Sequence, residues 1–231
     1  MISAIVLSSG KGRRFGGDIP KQYTGICGKP VVVWSLEAFQ RSVVDKIILV
    51  CDANDIEFCT NDIIKKYNIT KCTDIVAGGK ERYNSVYAGL LAAKNSDYVL
   101  IHDGARPLID TETINCASDY VQTKGSCVVG VPSSDTVQVT DEGGNITFTP
   151  LRANTWIAET PQCFKTSLAL KSYEKAIHAN DTSITDDAMV VLKYGNGKVA
   201  MLPGKKENIK LTTASDLKIM EFYLNERAKM P

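Results

Sequence analysis

Histidine is scarce in this 231-residue chain, which has His102 and His178 and no others. With only His178 besides, His102 belongs to no histidine metal cluster or catalytic histidine dyad, and it reads most simply as a core or supporting residue. Long apolar runs are missing as well, and no stretch approaches the roughly 20 residues that a membrane-spanning helix needs. The opening MISAIVLSSG has no basic leader, and its apolar run is too short for a secretory signal. It reads as a buried first strand, and the protein is expected to be soluble and cytoplasmic. Neither sign of charge dominates, since 27 basic and 26 acidic residues leave a formal charge of +1. Nothing global draws such a chain to nucleic acid or to an anionic membrane, so a polyanion must be held by a local cluster. The seven cysteines (Cys27, Cys51, Cys59, Cys72, Cys116, Cys127 and Cys163) are odd in number and never form CxxC. That spacing argues against a disulfide framework and a structural zinc site, and the thiols read as reduced.

What is present is 44% hydrophobic and 23% charged composition over a length that suits one α/β domain spanning 1–231. Short β-rich runs, Ile2 to Leu7, Lys46 to Cys51, Thr73 to Val76, Tyr98 to Ile101 and Cys127 to Val131, alternate with helical patterns. The helical segments run from Pro30 to Gln40, Ile56 to Tyr67, Arg82 to Ala93 and Thr111 to Gln122. This alternation predicts a mainly parallel, Rossmann-like sheet with helices on both faces and ligands at the carboxyl ends of its strands. After Pro132 the pattern changes. Thr136 to Val139 and Ile146 to Thr149 flank a turn at Asp141 to Gly144, which predicts a β-hairpin. A lone hairpin is marginally stable, so it needs its own domain or another subunit to lie on. Helices over Ser167 to Ala179, Asp186 to Leu192 and Ala214 to Arg227, with a strand near Val199 to Leu202, complete the expectation.

The strongest chemical signal follows the first strand: Ser8, Ser9, Gly10, Lys11, Gly12, Arg13, Arg14, Phe15 and Gly16, then Pro20, Lys21 and Gln22. Glycines let backbone amides approach a phosphate, and four cations (Lys11, Arg13, Arg14 and Lys21) supply charge where a phosphoryl transition state develops it. A NAD-dependent dinucleotide fold is the rival, because Gly10, Gly12 and Gly16 approximate GxGxxG and Asp52 closes the second strand. Two features oppose it: the third glycine is one residue late, and Pro20 interrupts the segment where a helix should begin. A Walker-type loop is excluded because no GKS or GKT follows. A second constellation, Gly78, Gly79, Lys80, Glu81, Arg82, Tyr83, Asn84 and Ser85, joins paired glycines to a helix N-terminus and suits a base edge or ribose. A third, His102, Asp103, Gly104, Ala105, Arg106 and Pro107, ends the fourth strand with charges that either face a site or pair locally.

In this order the motifs GKGRRFG, PKQY, GGKERYNSV, HDGARP, SDT, TPQCF, ITDDA and ENIKLT closely resemble the 2-C-methyl-D-erythritol 4-phosphate cytidylyltransferases, from the first strand to the last helix. The resemblance implies a nucleotidyltransferase sheet with a projecting β-arm, here about residues 134–158, that crosses to a second subunit. It implies CTP and a polyol phosphate as substrates, Mg²⁺ held mainly by the CTP phosphates, and a homodimer. By residue, it implies Arg14 and Lys21 at the α-phosphate, and Ser8, Ser9, Gly10, Lys11 and Gly12 around the nucleotide. Gly79, Arg82 and Ser85 would form the cytidine pocket, with Asp103 and Gly104 beside it. Lys210 and Arg152 would grip the acceptor's phosphate, and Asp103, Arg106, Thr136 and Thr160 would surround its polyol, with Arg152 and Thr136 coming from the partner's arm. Ser8 and Ser9 stand where many relatives carry alanine, Lys80 where an acidic residue is common, and Glu207 in place of an aspartate. A pentitol-phosphate cytidylyltransferase shares the loop, the lysine and the fold, but HDGARP is more similar to the methylerythritol branch.

Overall fold

The computed structural model describes residues 1–10, 15, 19–181 and 183–229. Strands β1 (Ile2–Ser8), β4 (Lys46–Cys51), β5 (Cys72–Ala77), β6 (Tyr98–Asp103), β7 (Ser126–Pro132), β10 (Trp156–Lys165) and β11 (Ala200–Pro203) form one seven-stranded sheet. Two short ladders stand apart from it: β2 (Gly25–Ile26) with β3 (Lys29–Pro30), and β8 (Val139–Thr140) with β9 (Ile146–Phe148). The order across the sheet is β11-β7-β10-β6-β1-β4-β5, and β10 alone runs antiparallel to both its neighbours.

Alternation along each strand divides the apolar residues between two layers. Ile2, Ala4 and Val6 of β1 and Ile47 and Leu49 of β4 face α1 (Val31–Arg41), the helical segment from Ile56 and α4 (Thr111–Lys124). Ile5, Ile48 and Val50 face α3 (Arg82–Ala92), α5 (Thr166–His178) and α6 (Asp187–Tyr194). Covered on both sides, the central strands are apolar nearly throughout, as buried parallel strands are. From β1 the chain winds outward through β4 and β5, then returns by α3 to place β6 on the other side of β1. The connecting helices change face at that step, which puts the topological switch point, and hence the ligand crevice, at the carboxyl ends of β1 and β6. A smaller core of Ile26, Val31, Ala105, Leu108, Leu211, Met220 and Leu224 sits under α7 (Ala214–Lys229).

Besides the short β2–β3 ladder, which the sequence pattern does not announce, two elements differ from the sequence expectation. The segment expected as one helix over 56–67 has a single α turn, α2 (Ile56–Phe58), followed by π-helical turns over Cys59–Lys65. The hydroxyl of Thr60 donates to the Ile56 carbonyl at 2.7 Å, a side-chain bond that competes with the regular ladder. The ten-residue β10 was not expected at all. Glu159, Thr160, Pro161 and Gln162 interrupt any alternation, and the register with β7 shifts between Ala158 and Gln162. The hairpin is present but short: its turn is closed by the Asp141 carboxylate, which accepts the Asn145 N–H at 2.9 Å. Among the described residues no helix is long and apolar enough to cross a membrane.

Candidate active site

A cleft of about 730 Å³ opens at the carboxyl ends of β1, β4, β5 and β6, with Ser8, Ser9, Gly10, Lys21, Gly79, Arg82, Ser85, Asp103 and Lys210 among its lining. One wall is the end of β1. The Ser8 carbonyl accepts from Gln22 Nε2 at 2.7 Å, which ties the turn Lys21–Tyr23 to the strand. Lys21 thereby reaches the cleft, where its Nζ donates to the Leu211 carbonyl at 2.7 Å. The facing wall is the turn into α3, begun by a reciprocal capping box between Glu81 and Asn84. Ser85 is its hub: the oxygen of its hydroxyl accepts the Gly79 N–H at 3.1 Å and the Ser9 hydroxyl at 2.9 Å. Glycine is required at 79, because a Cβ there would lie 2.3 Å from that of Asn84. Lys11, Gly12 and Arg14 lie outside the described residues.

The floor carries a line of charges. Arg82 grips Asp187 with both terminal nitrogens, Nη1 at 2.7 Å and Nη2 at 2.8 Å, and its Nε is 3.5 Å from Asp103. Lys210 reaches the other oxygen of Asp103 at 2.7 Å, and the Nε of Arg106 is 3.9 Å from it. Burial by itself would raise the Asp103 carboxyl, but Arg82, Lys210 and Arg106 outweigh it and hold Asp103 well below the ordinary carboxylate range. Lys210 is delivered by the segment Asn208 to Thr212, anchored where the Leu211 N–H donates to the Ala105 carbonyl at 2.8 Å.

Behind the floor, His102 is fully buried, and burial pushes its imidazole down to about 4. It is therefore neutral, with the proton on Nε2 facing the Arg106 carbonyl at 3.3 Å and Nδ1 accepting the Thr160 hydroxyl at 3.0 Å. The Thr160 oxygen in turn accepts the Asp103 N–H at 3.1 Å. Thr160 and Arg106 thus stand next to Asp103 without lining the cleft, and Arg106 donates through Nη1 to the Asn208 carbonyl at 2.7 Å. Gly104 does not line it either. Its N–H donates to the Leu7 carbonyl at 2.8 Å, and a Cβ would meet that oxygen. Thr136 and Arg152 lie on the hairpin segment, exposed and outside the cleft of their own chain. The sequence pattern gives no role to Asp187, Tyr173 or Asp52, although ITDDA contains the first and Asp52 closes the second strand.

The model of the IspD family, 2-C-methyl-D-erythritol 4-phosphate cytidylyltransferase, matches residues 2–226. The chain belongs to this family. The 2-C-methyl-D-erythritol 4-phosphate cytidylyltransferase of Lachnoclostridium phytofermentans is 43% identical over 225 residues, covering 97% of each chain. That of Clostridium botulinum (strain Eklund 17B / Type B) is 43% identical over 226 residues, covering 97% of this chain and all of its own. The crystal structure of 4-diphosphocytidyl-2C-methyl-D-erythritol synthase from Anaerococcus prevotii superposes with a TM-score of 0.85 at 31% identity, covering 97% of this chain and 96% of the other. Membership of a nucleotidyltransferase family removes the dinucleotide-dependent oxidoreductase, and it fits a cleft whose glycine-bearing walls face one another across paired cations.

Proposed function

We propose that this chain transfers CMP from CTP to 2-C-methyl-D-erythritol 4-phosphate, giving 4-diphosphocytidyl-2-C-methyl-D-erythritol and pyrophosphate. The observation that carries the proposal is the switch-point cleft, where Ser8 to Gly10 and Gly79 to Ser85 form a nucleotide-sized pocket and Lys21 and Lys210 enter from separate segments. An acceptor phosphate oxygen attacks the α-phosphorus in line, forming a P–O bond as the bond to pyrophosphate breaks. The attacking group is already an anion, so no protein nucleophile is needed and the chain's work is positioning and charge stabilisation. Lys21, with Arg14, would stabilise the α-phosphate, and Ser85 would meet the base. Lys210 would orient the acceptor, with Asp103 at its polyol and Arg106 and Thr160 supporting Asp103 from behind.

A divalent cation, which we take to be Mg²⁺, would ride on the triphosphate oxygens and neutralise part of their charge. The cleft's carboxylates are engaged elsewhere. Asp52 accepts from Asn54, Glu81 caps α3, and Asp103 holds Lys210. Among the described residues no three metal-ligating side chains converge.

Residues 1–231 would form one cytoplasmic cytidylyltransferase domain, with about 134–158 as an arm. Val139, Ile146, Phe148 and Leu151 on that arm are exposed apolar side chains that a second copy would cover, bringing Arg152 and Thr136 into the neighbour's cleft. Pyrophosphate release from CTP and Mg²⁺ tests the reaction, with 2-C-methyl-D-erythritol 4-phosphate, ribitol 5-phosphate or no acceptor. Release that needs the first supports the proposal. Preference for ribitol 5-phosphate moves the assignment to the pentitol branch, and release without an acceptor overturns it.

A further inference from the structure

Asp187 has no exposed surface, yet it belongs to the charge line that reaches the cleft and has no part in the reaction described above. It occupies the first position of α6, and both its oxygens face the terminal nitrogens of Arg82. The hydroxyl of Tyr173, fully buried on α5, donates to Asp187 Oδ1. A fork-to-fork pair fixes the plane of a guanidinium as well as its position. With Nη1 and Nη2 turned to Asp187, Arg82 meets Asp103 Oδ1 along its other edge, Nη2 donating to it and Nε beside it, each at 3.5 Å, and Asp103 gives its second oxygen to Lys210 at 2.7 Å. Asp187, Arg82, Asp103 and Lys210 therefore alternate in sign from the buried α5–α6 layer to the cleft wall.

We propose that Asp187 is a positioning residue which, acting through Arg82, sets where Asp103 holds Lys210. In this arrangement Arg82 is a strut whose outer nitrogens are already engaged, and Lys210 is the cation left to meet a substrate phosphate. Without the Asp187 carboxylate, Arg82 keeps Asp103 as its one carboxylate partner. Asp103 is then the one carboxylate within 4 Å of Arg82, Arg106 and Lys210 among the described residues, and it is drawn from Lys210 toward Arg82. The kinetic expectation rests on the proposed reaction, whereas the geometric one does not.

Asp187→Asn keeps the shape of the side chain and removes its charge. In the full-length enzyme with CTP and 2-C-methyl-D-erythritol 4-phosphate, it should lower kcat/KM by about tenfold or more, as losing a support of a catalytic donor does. Tyr173→Phe should lower it roughly two- to fivefold, the effect of one hydrogen bond. Positioning of Lys210 is separated from packing in the Lys210→Ala background, where Asp187→Asn has no Lys210 ammonium left to position. Its further cost there should fall within about twofold. Losses that multiply in the double variant, or a folded D187N with unchanged kcat/KM, would overturn the proposal. If D187N does not fold, the same cycle with Tyr173→Phe and Lys210→Ala decides it by the same criterion. If the wild-type chain does not turn over this substrate pair, the reaction proposal fails, and a crystal structure of D187N, or of Y173F should D187N not fold, still tests the geometry. A displaced Asp103–Lys210 contact supports the relay, and a contact unchanged at 2.7 Å refutes it.

Discussion

Lys210 and Asp103, 107 positions apart in the chain, meet with Nζ 2.7 Å from Oδ2. Asp103 is held far below its ordinary value of 3.8, because three cations outweigh the cost of its burial. A depressed carboxylate contributes stability that is present in full above its unfolded pKa and is lost as pH falls below it toward the folded one. Asp103→Asn should therefore be clearly less stable than the parent near pH 7, with the gap narrowing below about pH 4. Thermal unfolding of both proteins across that range checks this, and a gap independent of pH would mean that Asp103 is not held as an ion.

Lys21 reaches the cleft from the turn after the glycine loop, with its Nζ 2.7 Å from the Leu211 carbonyl. In the proposed reaction, truncating it would remove a fixed cation from the place where charge develops, while Ser9, Gly79 and Ser85 would remain in the cleft to hold the nucleotide. Lys21→Ala should leave CTP binding measurable by calorimetry and lower turnover by roughly 10²- to 10³-fold. Unchanged turnover would take Lys21 out of the reaction.

His102 gives a second pH signature in a different window. Its folded value is about 4 against an ordinary 6.5, because burial disfavours the imidazolium more than Asp103 favours it. The unfolded chain takes up a proton below about pH 6.5 that the folded one refuses until about pH 4, so stability is full above the upper value and falls between the two. The loss should amount to about 3 kcal/mol by the lower end. His102→Gln should flatten the dependence of Tm on pH in that interval, and a profile as steep as the parent's would assign it to another group.

Much of this was legible in the sequence because local pattern and tertiary environment agree. Within Lys46 to Cys51 every residue from Ile47 on is apolar, as a strand covered on both faces must be, and the strand spans those same six residues. Ser85 and Asp103 could be placed at a site because the motifs that hold them, Gly78 to Ser85 and His102 to Pro107, lie at the carboxyl ends of β5 and β6. β10 could not be read, since its polar centre from Glu159 to Gln162 is satisfied by partners distant in sequence, Asn208 and His102 among them. The role of Asp187 was hidden for a similar reason. Nothing within ITDDA shows that the carboxylate closes on an arginine 105 residues earlier. Thr160 was read from its motif as a polyol contact, but its hydroxyl links His102 to the backbone of Asp103.

The hairpin gives the last prediction. Arg152 lies outside the cleft of its own chain, while Ile146, Phe148 and Leu151 beside it are more than half exposed. If a second copy covers them, Arg152 serves the neighbour's site, so Arg152→Ala and Lys21→Ala damage each site from different chains. Random exchange between equal amounts of the two variants makes half the dimers mixed. Each mixed dimer holds one site with both residues intact and one with neither, so about a quarter of parental activity should return. Activity is followed as pyrophosphate release, and exchange is verified by mass spectrometry with one variant isotopically labelled. Confirmed exchange with no recovery would place Arg152 and Lys21 in a site made by one chain.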